Sequence, residues 1–189
     1  MNLTRLTPPA MLPVSLAEAK AYCRVDHFDD DGVMTDHIAA VVSRLDGCDG
    51  MLGICLVRQT WRADLPGFHP IMVLPLPPAL SVASVAYVDP AGDLRTLPSS
   101  AWRVAGLGSL SGATVVPASG TSWPATAEQP DAVRITFDAG FGNDAAAVPA
   151  AIKAHILARV AWHYDNREAL PSDPKAEDDY VRGFRAWSF

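Results

Sequence analysis

Apolar residues recur at helical spacing in two long stretches of the chain. Between residues 32 and 52 they recur at every third or fourth position, as Met34, Ile38, Val41, Leu45 and Cys48. After Val148 and Pro149 the same spacing is kept by Ile152, Ile156, Val160 and Tyr164. This period places the apolar side chains on one face of an α-helix. We therefore expect a long helix over residues 32–52 and another from Pro149 to about residues 167–170.

A shorter helix is predicted ahead of these two, over residues 16–25. Ser15 and Glu18 have the spacing of a capping box, in which each side chain binds the other residue's backbone N–H. The acidic run at residues 29–31 then suits the positive end of the second helix. A bound cation is the alternative reading of these aspartates, although they lack the alternating ligand spacing of a calcium loop.

From Leu56 the period changes to two, because the residues of 56–65 alternate between an apolar and a polar face. Such alternation is typical of a half-buried β-strand. Further strands are predicted at Ile71–Leu74, Val82–Val88, Leu94–Leu97, Trp102–Ala105 and Val133–Phe137. The fold class is therefore α+β: a helical bundle of two N-terminal helices and one long C-terminal helix, with an inserted antiparallel β module and an extended C-terminal tail.

The pattern divides the chain into four parts. Residues 1–53 form an N-terminal extended arm and two helices, and residues 54–145 form the inserted β module. Residues 146–170 supply the helix that completes the helical core. Residues 171–189 form an extended tail that we expect to dock on a partner.

A stretch rich in Gly, Ser, Thr and Pro occupies residues 106–130. Gly106 and Gly108 suggest a dinucleotide-binding loop, but Gly112 is out of register and no βαβ unit surrounds it. We interpret the stretch as a long loop that contacts a neighbouring subunit. The residues expected at this contact are Gly106, Gly108, Gly112 and Trp123.

The tail combines large apolar side chains with arginine, the residue types that are enriched where interfaces concentrate binding energy. Its candidate docking residues are Tyr180, Val181, Arg182, Phe184, Arg185, Trp187 and Phe189. Chain termini fray unless something ties them down. We expect this segment to bind another chain, the alternative being that it folds back on its own core as a short helix.

Charge and motif content argue against several functions. Asp and Glu number 21 against 15 Lys and Arg, so the net charge of −6 provides no basic surface for nucleic acid. The three cysteines lack CxxC spacing, which argues against a disulfide framework or a zinc site, and we expect Cys48 and Cys55 to pack as small apolar groups. Neither a catalytic motif nor an apolar run long enough for a membrane span is present. We expect no enzymatic activity, metal, cofactor or membrane contact.

The order of several short motifs is similar to that of a known family. These motifs are PVSLAEAK at residues 13–20, LVRQTW at 56–61, LPLPP at 74–78, FDAGFG at 137–142, VPAAIK at 148–153 and HYDNRE at 163–168. In this order and spacing they resemble the head–tail connector (adaptor) proteins of tailed phages and gene transfer agents. The resemblance covers residues 13–170.

The resemblance implies a structural protein of the virion neck, made in the bacterial cytoplasm. It implies a homo-oligomeric ring of about twelve subunits, with the portal protein above and a stopper or tail protein below. DNA would pass through the lumen without specific binding, and the C-terminal segment would engage the portal. Two alternatives remain: another neck or assembly protein, such as a stopper or tail terminator, or a small enzyme or ligand-binding domain.

Overall fold

A computed structural model describes residues 1–166 and 181–186 of the chain. The α-helices are α1 (Leu16–Cys23), α2 (Asp31–Leu45) and α3 (Ala150–Asp165). The strands are β1 (Asn2–Thr7), β2 (Gln59–Leu65), β3 (Met72–Val73), β4 (Ala79–Val88), β5 (Leu94–Thr96), β6 (Trp102–Ala105), β7 (Thr114–Pro117) and β8 (Val133–Ala139). The α+β class predicted from the sequence is confirmed.

The predicted capping box starts α1. The Glu18 backbone N–H donates to Ser15 Oγ at 3.2 Å, and the Ser15 N–H donates to Glu18 Oε2 at 2.7 Å. These two bonds satisfy donors that the first turn of a helix leaves unpaired. The helix ends when Arg24 adopts a left-handed conformation with φ 56°, and the Arg24 and Val25 N–H groups donate back to carbonyls of the last turn.

Helix α2 begins close to the predicted position but ends at Leu45, well before residue 52. Asp46 turns extended, and Gly47 takes φ 82° and donates its N–H to the Ile54 carbonyl at 2.7 Å. This contact with a later segment reverses the chain. Cys48 therefore leaves the apolar stripe and is exposed, so its predicted packing role is wrong.

The three helices pack on one hydrophobic core. From α2 it contains the predicted stripe of Ile38, Val41 and Leu45, and from α3 it contains Ile152, Ile156 and Val160. Residues 52–57 contribute Leu52, Ile54, Leu56 and Val57 to the same cluster. The part of the predicted third helix beyond residue 166 lies outside the described residues.

The strands form two antiparallel sheets, one of five strands in the order β1-β2-β8-β4-β5 and one of three strands in the order β3-β7-β6. In the larger sheet Trp61 pairs with Phe137 and Ala63 pairs with Ile135. All four of these side chains are buried in a second core that also contains Met72 and Val115 of the smaller sheet. The alternation predicted for β2 and β8 therefore places their apolar faces between the two sheets.

Two segments predicted without strands contribute to these sheets. The N-terminal arm forms β1, which pairs with β2 from Asn2 opposite Asp64 to Thr7 opposite Thr60. The loop predicted at residues 106–130 contains β7, which lies between β3 and β6. β1 gains its hydrogen bonds from the distant β2. β7 gains them from the distant β3 and from β6, its neighbour across the turn, and the local pattern of residues 106–130 did not indicate this strand.

Candidate interaction surfaces

The described part of the C-terminal tail, residues 181–186, packs on the helical core of its own chain. Val181 is fully buried there, and Phe184 and Ala186 pack against the same cluster. The Ala186 N–H donates to the Leu52 carbonyl at 2.8 Å, and residues 182–184 form a single 3₁₀ turn. Within this segment the predicted tail is thus folded back rather than extended.

The predicted docking residues of the tail fall into three groups. Val181 is enclosed by its own chain, and Phe184 is partly enclosed, so neither presents its full side chain to a partner. Arg182 and Arg185 are exposed. Tyr180, Trp187 and Phe189 lie outside the described residues. The expectation that this tail binds another chain stays a prediction, carried by the arginines and the residues beyond Ala186.

The predicted loop at residues 106–130 begins with a tight glycine turn between β6 and β7. Gly106 has φ 79°, and a Cβ at this position would lie 2.8 Å from the Gly112 carbonyl oxygen, so only glycine fits without a shift. The Gly108 N–H donates to the Ala79 carbonyl at 2.8 Å and so attaches the turn to β4. The turn is therefore an ordered β connection, and its predicted contact with a second subunit stays a prediction.

Trp123 is fixed by its own chain. Its ring stacks on Phe68 with the centroids 4.6 Å apart and the planes at 8°, and its Nε1–H donates to the His69 carbonyl at 2.8 Å. An indole whose apolar body and polar N–H both find partners is stabilised in place. Trp123 thus anchors residues 118–130 to the β module.

One groove brings together residues from both predicted sites. Gly112 of the glycine turn and Arg185 of the tail line the same cavity of about 420 Å³. The rest of its lining is largely apolar and comes from β1, the residues after α2, the segment after β3 and the glycine turn: Met1, Leu3, Cys48, Gly50, Met51, Leu52, Gly53, Val73, Leu74, Pro75, Leu76, Pro77, Leu110, Ser111 and Ala186. Apolar cavities of roughly 300–1,000 Å³ are typical of binding sites. We call this feature the junction groove.

Sequence reasoning placed the tail and the glycine turn at interfaces, but it missed most of the lining of the junction groove. The run Leu74-Pro75-Leu76-Pro77 carried a usable signal, since an apolar segment interrupted by prolines cannot form a regular ladder and so leaves the sheet. Met51 and Leu52 gave no such signal, because they were assigned to the predicted continuation of α2.

The outer face of the five-stranded sheet is polar and centres on Asp138. This carboxylate accepts hydrogen bonds from Thr60 Oγ1 at 2.7 Å, from Arg58 Nη2 at 2.8 Å and from Ser81 Oγ at 2.9 Å. Burial alone would raise the pKa of Asp138, but these three donors outweigh it and hold the pKa below its usual range. The charges of this face are paired within the protein.

Three properties of the described residues concern metal binding, thiol reactivity and helix length. Among residues 1–166 and 181–186, no group of three or more His, Cys, Asp or Glu side chains is arranged to hold a metal ion. Burial raises the pKa of the Cys55 thiol well above its usual range, which disfavours the reactive thiolate. Over the same residues, none of the helices combines the length and apolarity that a bilayer crossing requires.

Solved structures with the same fold come from gene transfer agent (GTA) particles. One is a chain of the virion of a native GTA particle, with TM-score 0.80 and 20% identity. Two others are chains of the neck of an empty GTA particle computed with C6 symmetry, with TM-score 0.78 and 20% identity, and of the neck of a native particle computed with C12 symmetry, with TM-score 0.76 and 21% identity. Each likeness covers 100% of this chain and 97% of the other. The protein has the fold of these neck and virion chains over its whole length.

Comparison of the sequence alone gives no such likeness. No family model matches the chain, and no curated protein matches it. At about 20% identity the three-dimensional arrangement of helices and sheets is what the chain has in common with the GTA chains.

Proposed function

We propose that this protein is a structural head–tail connector (adaptor) of the neck of a phage or GTA particle. The observation that carries the proposal is the likeness to GTA neck chains over 100% of this chain and 97% of each neck chain, with TM-scores of 0.76 and 0.78. A likeness that covers the whole chain supports a common role better than a likeness of one module would. The order of sequence motifs points to the same family independently.

In this proposal about twelve copies form a ring between the portal above and a stopper or tail protein below, with DNA passing through the lumen. The C12 symmetry used for one of the similar necks supports the copy number. The net charge of −6 supports passive transit, because a protein without a basic surface releases few counterions on contact with DNA and so gains little affinity for it.

The test of the adaptor role is association with the portal ring of the same particle. Full-length protein is expected to co-sediment with purified portal rings and to add a second ring layer in negative-stain images. Full-length protein that stays in the supernatant, with portal images unchanged, would overturn the adaptor role.

The predicted docking role of the tail needs a finer variant than deletion of residues 175–189. That deletion also removes Val181 from the core, so it mixes folding with binding. Deletion of residues 187–189, or the double variant Trp187→Ala/Phe189→Ala, leaves every described contact of residues 181–186 in place. We expect either to weaken portal association at least about tenfold, the effect of losing about 1.4 kcal/mol.

Leu94→Ala is the matched control for the loss of a large apolar side chain, because Leu94 is 57% exposed on β5. It should co-sediment as the full-length protein does. Unchanged portal association of the 187–189 deletion would refute docking by the end of the tail while leaving the adaptor role intact.

A further inference from the structure

The turn between α1 and α2 presents an aromatic side chain to solvent. Phe28 is 79% exposed, more than any other large apolar residue described, and it lies between the exposed Asp26 and Asp29. The Asp29 side chain is 97% exposed. A large apolar group surrounded by charge is a common composition for a contact site. We call residues 26–29 the Phe28 turn.

The Phe28 turn is held in place by one lysine. Lys20 Nζ donates to the His27 carbonyl and to Asp31 Oδ1 at 2.6 Å, and it lies 4.4 Å from the centroid of the Phe28 ring. A cation over an aromatic face restrains the ring and leaves its other face and edge open. The turn is therefore organised before it meets a partner, which reduces the entropy lost on binding.

The junction groove has the complementary character. Its lining is largely apolar, and among the described residues the one charged side chain that lines it is Arg185, which is exposed. An aromatic ring would fill the apolar part, and the carboxylates of Asp26 and Asp29 would then lie on the side of the guanidinium. Pairing of opposite charges at the rim of an apolar contact favours this orientation over its reverse.

The two surfaces lie at opposite ends of α2. The Phe28 turn directly precedes the helix, and the groove is lined by Cys48 and residues 50–53 just after it. A helix of 15 residues is about 22 Å long. The turn therefore cannot reach the groove of its own chain. Two different complementary patches at separate positions on a subunit produce a heterologous contact, which repeats from copy to copy and closes into a ring when the rotation permits.

We propose that the Phe28 turn of one copy inserts into the junction groove of the next copy. This contact would be the subunit interface of the proposed ring, so its biological role rests on the proposed function. The contact itself needs no portal and is tested without one.

Native Cys48 allows a direct test, since it is exposed and lines the groove. The full-length His27→Cys variant keeps the Phe28 ring and both aspartates of the turn, and it is treated with a short bifunctional thiol cross-linker. The reaction is run at mildly alkaline pH, because partial burial and then the charge of Asp49 raise the pKa of the Cys48 thiol. A cysteine pair on two neighbouring copies gives a ladder of dimers, trimers and larger species. Peptide mass spectrometry should identify the join as residue 27 to Cys48, and Cys48→Ser should abolish the ladder.

Leu94→Cys is the control for chance encounters, since residue 94 is exposed on β5 and distant in sequence from both surfaces. Cross-linking of His27→Cys at or below the level of this control would overturn the proposal. So would a ladder that survives Cys48→Ser, or one that forms only after residues 187–189 are deleted, which would assign the groove to the chain's own C-terminus. If the protein forms the cross-linked ladder but fails to bind portal, the adaptor role is refuted and the contact between copies stands.

Discussion

At the scale of single residues, Glu18 connects local and tertiary structure through one carboxylate. Its Oε1 accepts a hydrogen bond from Lys153 Nζ of α3 at 2.7 Å, and its Oε2 completes the capping box with Ser15. The bond from Lys153 and then the bond from the Ser15 N–H lower the pKa of Glu18 from 4.5 to about 2. The same side chain thus starts α1 and attaches it to α3.

Glu18→Gln is expected to remove the ion pair with Lys153 and keep the capping box, because glutamine serves equally well at that position. The Glu18 side chain is 41% exposed, so solvent screens the pair, and we expect a loss of about 0.2–1 kcal/mol in the free energy of unfolding at neutral pH. Since folding lowers the pKa, this contribution is complete above pH 4.5 and is lost as the pH falls towards about 2. Urea unfolding at a series of pH values measures it.

Lys153→Met is the partner control for this prediction. It should reproduce the loss, and the double variant should lose little more than either single variant, because both remove one interaction. A difference between wild type and Glu18→Gln that stays constant down to pH 2 would contradict the assignment.

At the scale of elements, one apolar side chain and one backbone hydrogen bond hold residues 181–186 on the helical core. We call this segment the clasp. Val181 is fully buried among the helices, and the Ala186 N–H donates to the Leu52 carbonyl, next to the junction groove. Arg185 consequently stands at the groove. An interface element is positioned in this way by a residue whose own role is packing.

Val181→Ala is expected to lower the free energy of unfolding by about 1–3 kcal/mol, because it leaves a cavity in the helical core. Chemical denaturation monitored by tryptophan fluorescence measures the loss. Val33→Ala is the matched control, since Val33 lies on α2 and is 39% exposed, and it should change stability little. Equal effects of the two substitutions would show that the clasp does not contribute to the core.

At the scale of the whole molecule, the two hydrophobic cores meet where α2 gives way to β2. Cys55 belongs to the core between the sheets, and its neighbour Leu56 belongs to the helical core. The Asp46 carboxylate stabilises this segment, because it accepts hydrogen bonds from the Leu56 N–H at 2.7 Å and from Gln59 Nε2 at 2.6 Å. Burial nevertheless raises the pKa of Asp46, so its charge opposes folding at neutral pH.

Asp46→Asn is therefore expected to stay within about 1 kcal/mol of wild type at pH 7, because the amide keeps an acceptor for Leu56 and removes a buried charge. Once the Gln59 amide rotates by half a turn, the Asn Nδ2 can donate to Gln59 Oε1, which lacks a partner among the described residues. Asp46→Ala is the control and should lose about 1–3 kcal/mol, because it leaves the Leu56 N–H unpaired.

The pH dependence of the stability of wild type and Asp46→Asn tests the direction of the Asp46 pKa shift. A raised folded-state pKa means that the contribution of Asp46 to stability improves as the pH falls from neutral through that pKa and is constant below the unfolded value. In thermal unfolding experiments the melting temperature of wild type should therefore rise relative to that of Asp46→Asn as the pH is lowered. A relative rise of the wild-type melting temperature as the pH is increased would contradict the prediction.

Much of the fold is local in origin, and the sequence by itself determined that part. Ser15 and Glu18 start α1 because their spacing satisfies backbone donors within one turn. Ile38, Val41 and Leu45 keep a helical period, and β2 and β8 keep a period of two, because each buries one face. The order of motifs over residues 13–170 likewise indicated a neck protein, and the chain has the fold of GTA neck chains.

Contacts between distant segments decided the rest. The bond from Gly47 to Ile54 ends α2 at Leu45 although the apolar period continues, and β1 and β7 exist because β2, β3 and β6 pair with them. Only the tertiary structure brings Gly112 and Arg185 to one groove and buries Val181 while exposing Arg182. Such features depend on which surfaces come into contact when the chain folds, and a local pattern of residue types does not contain that information.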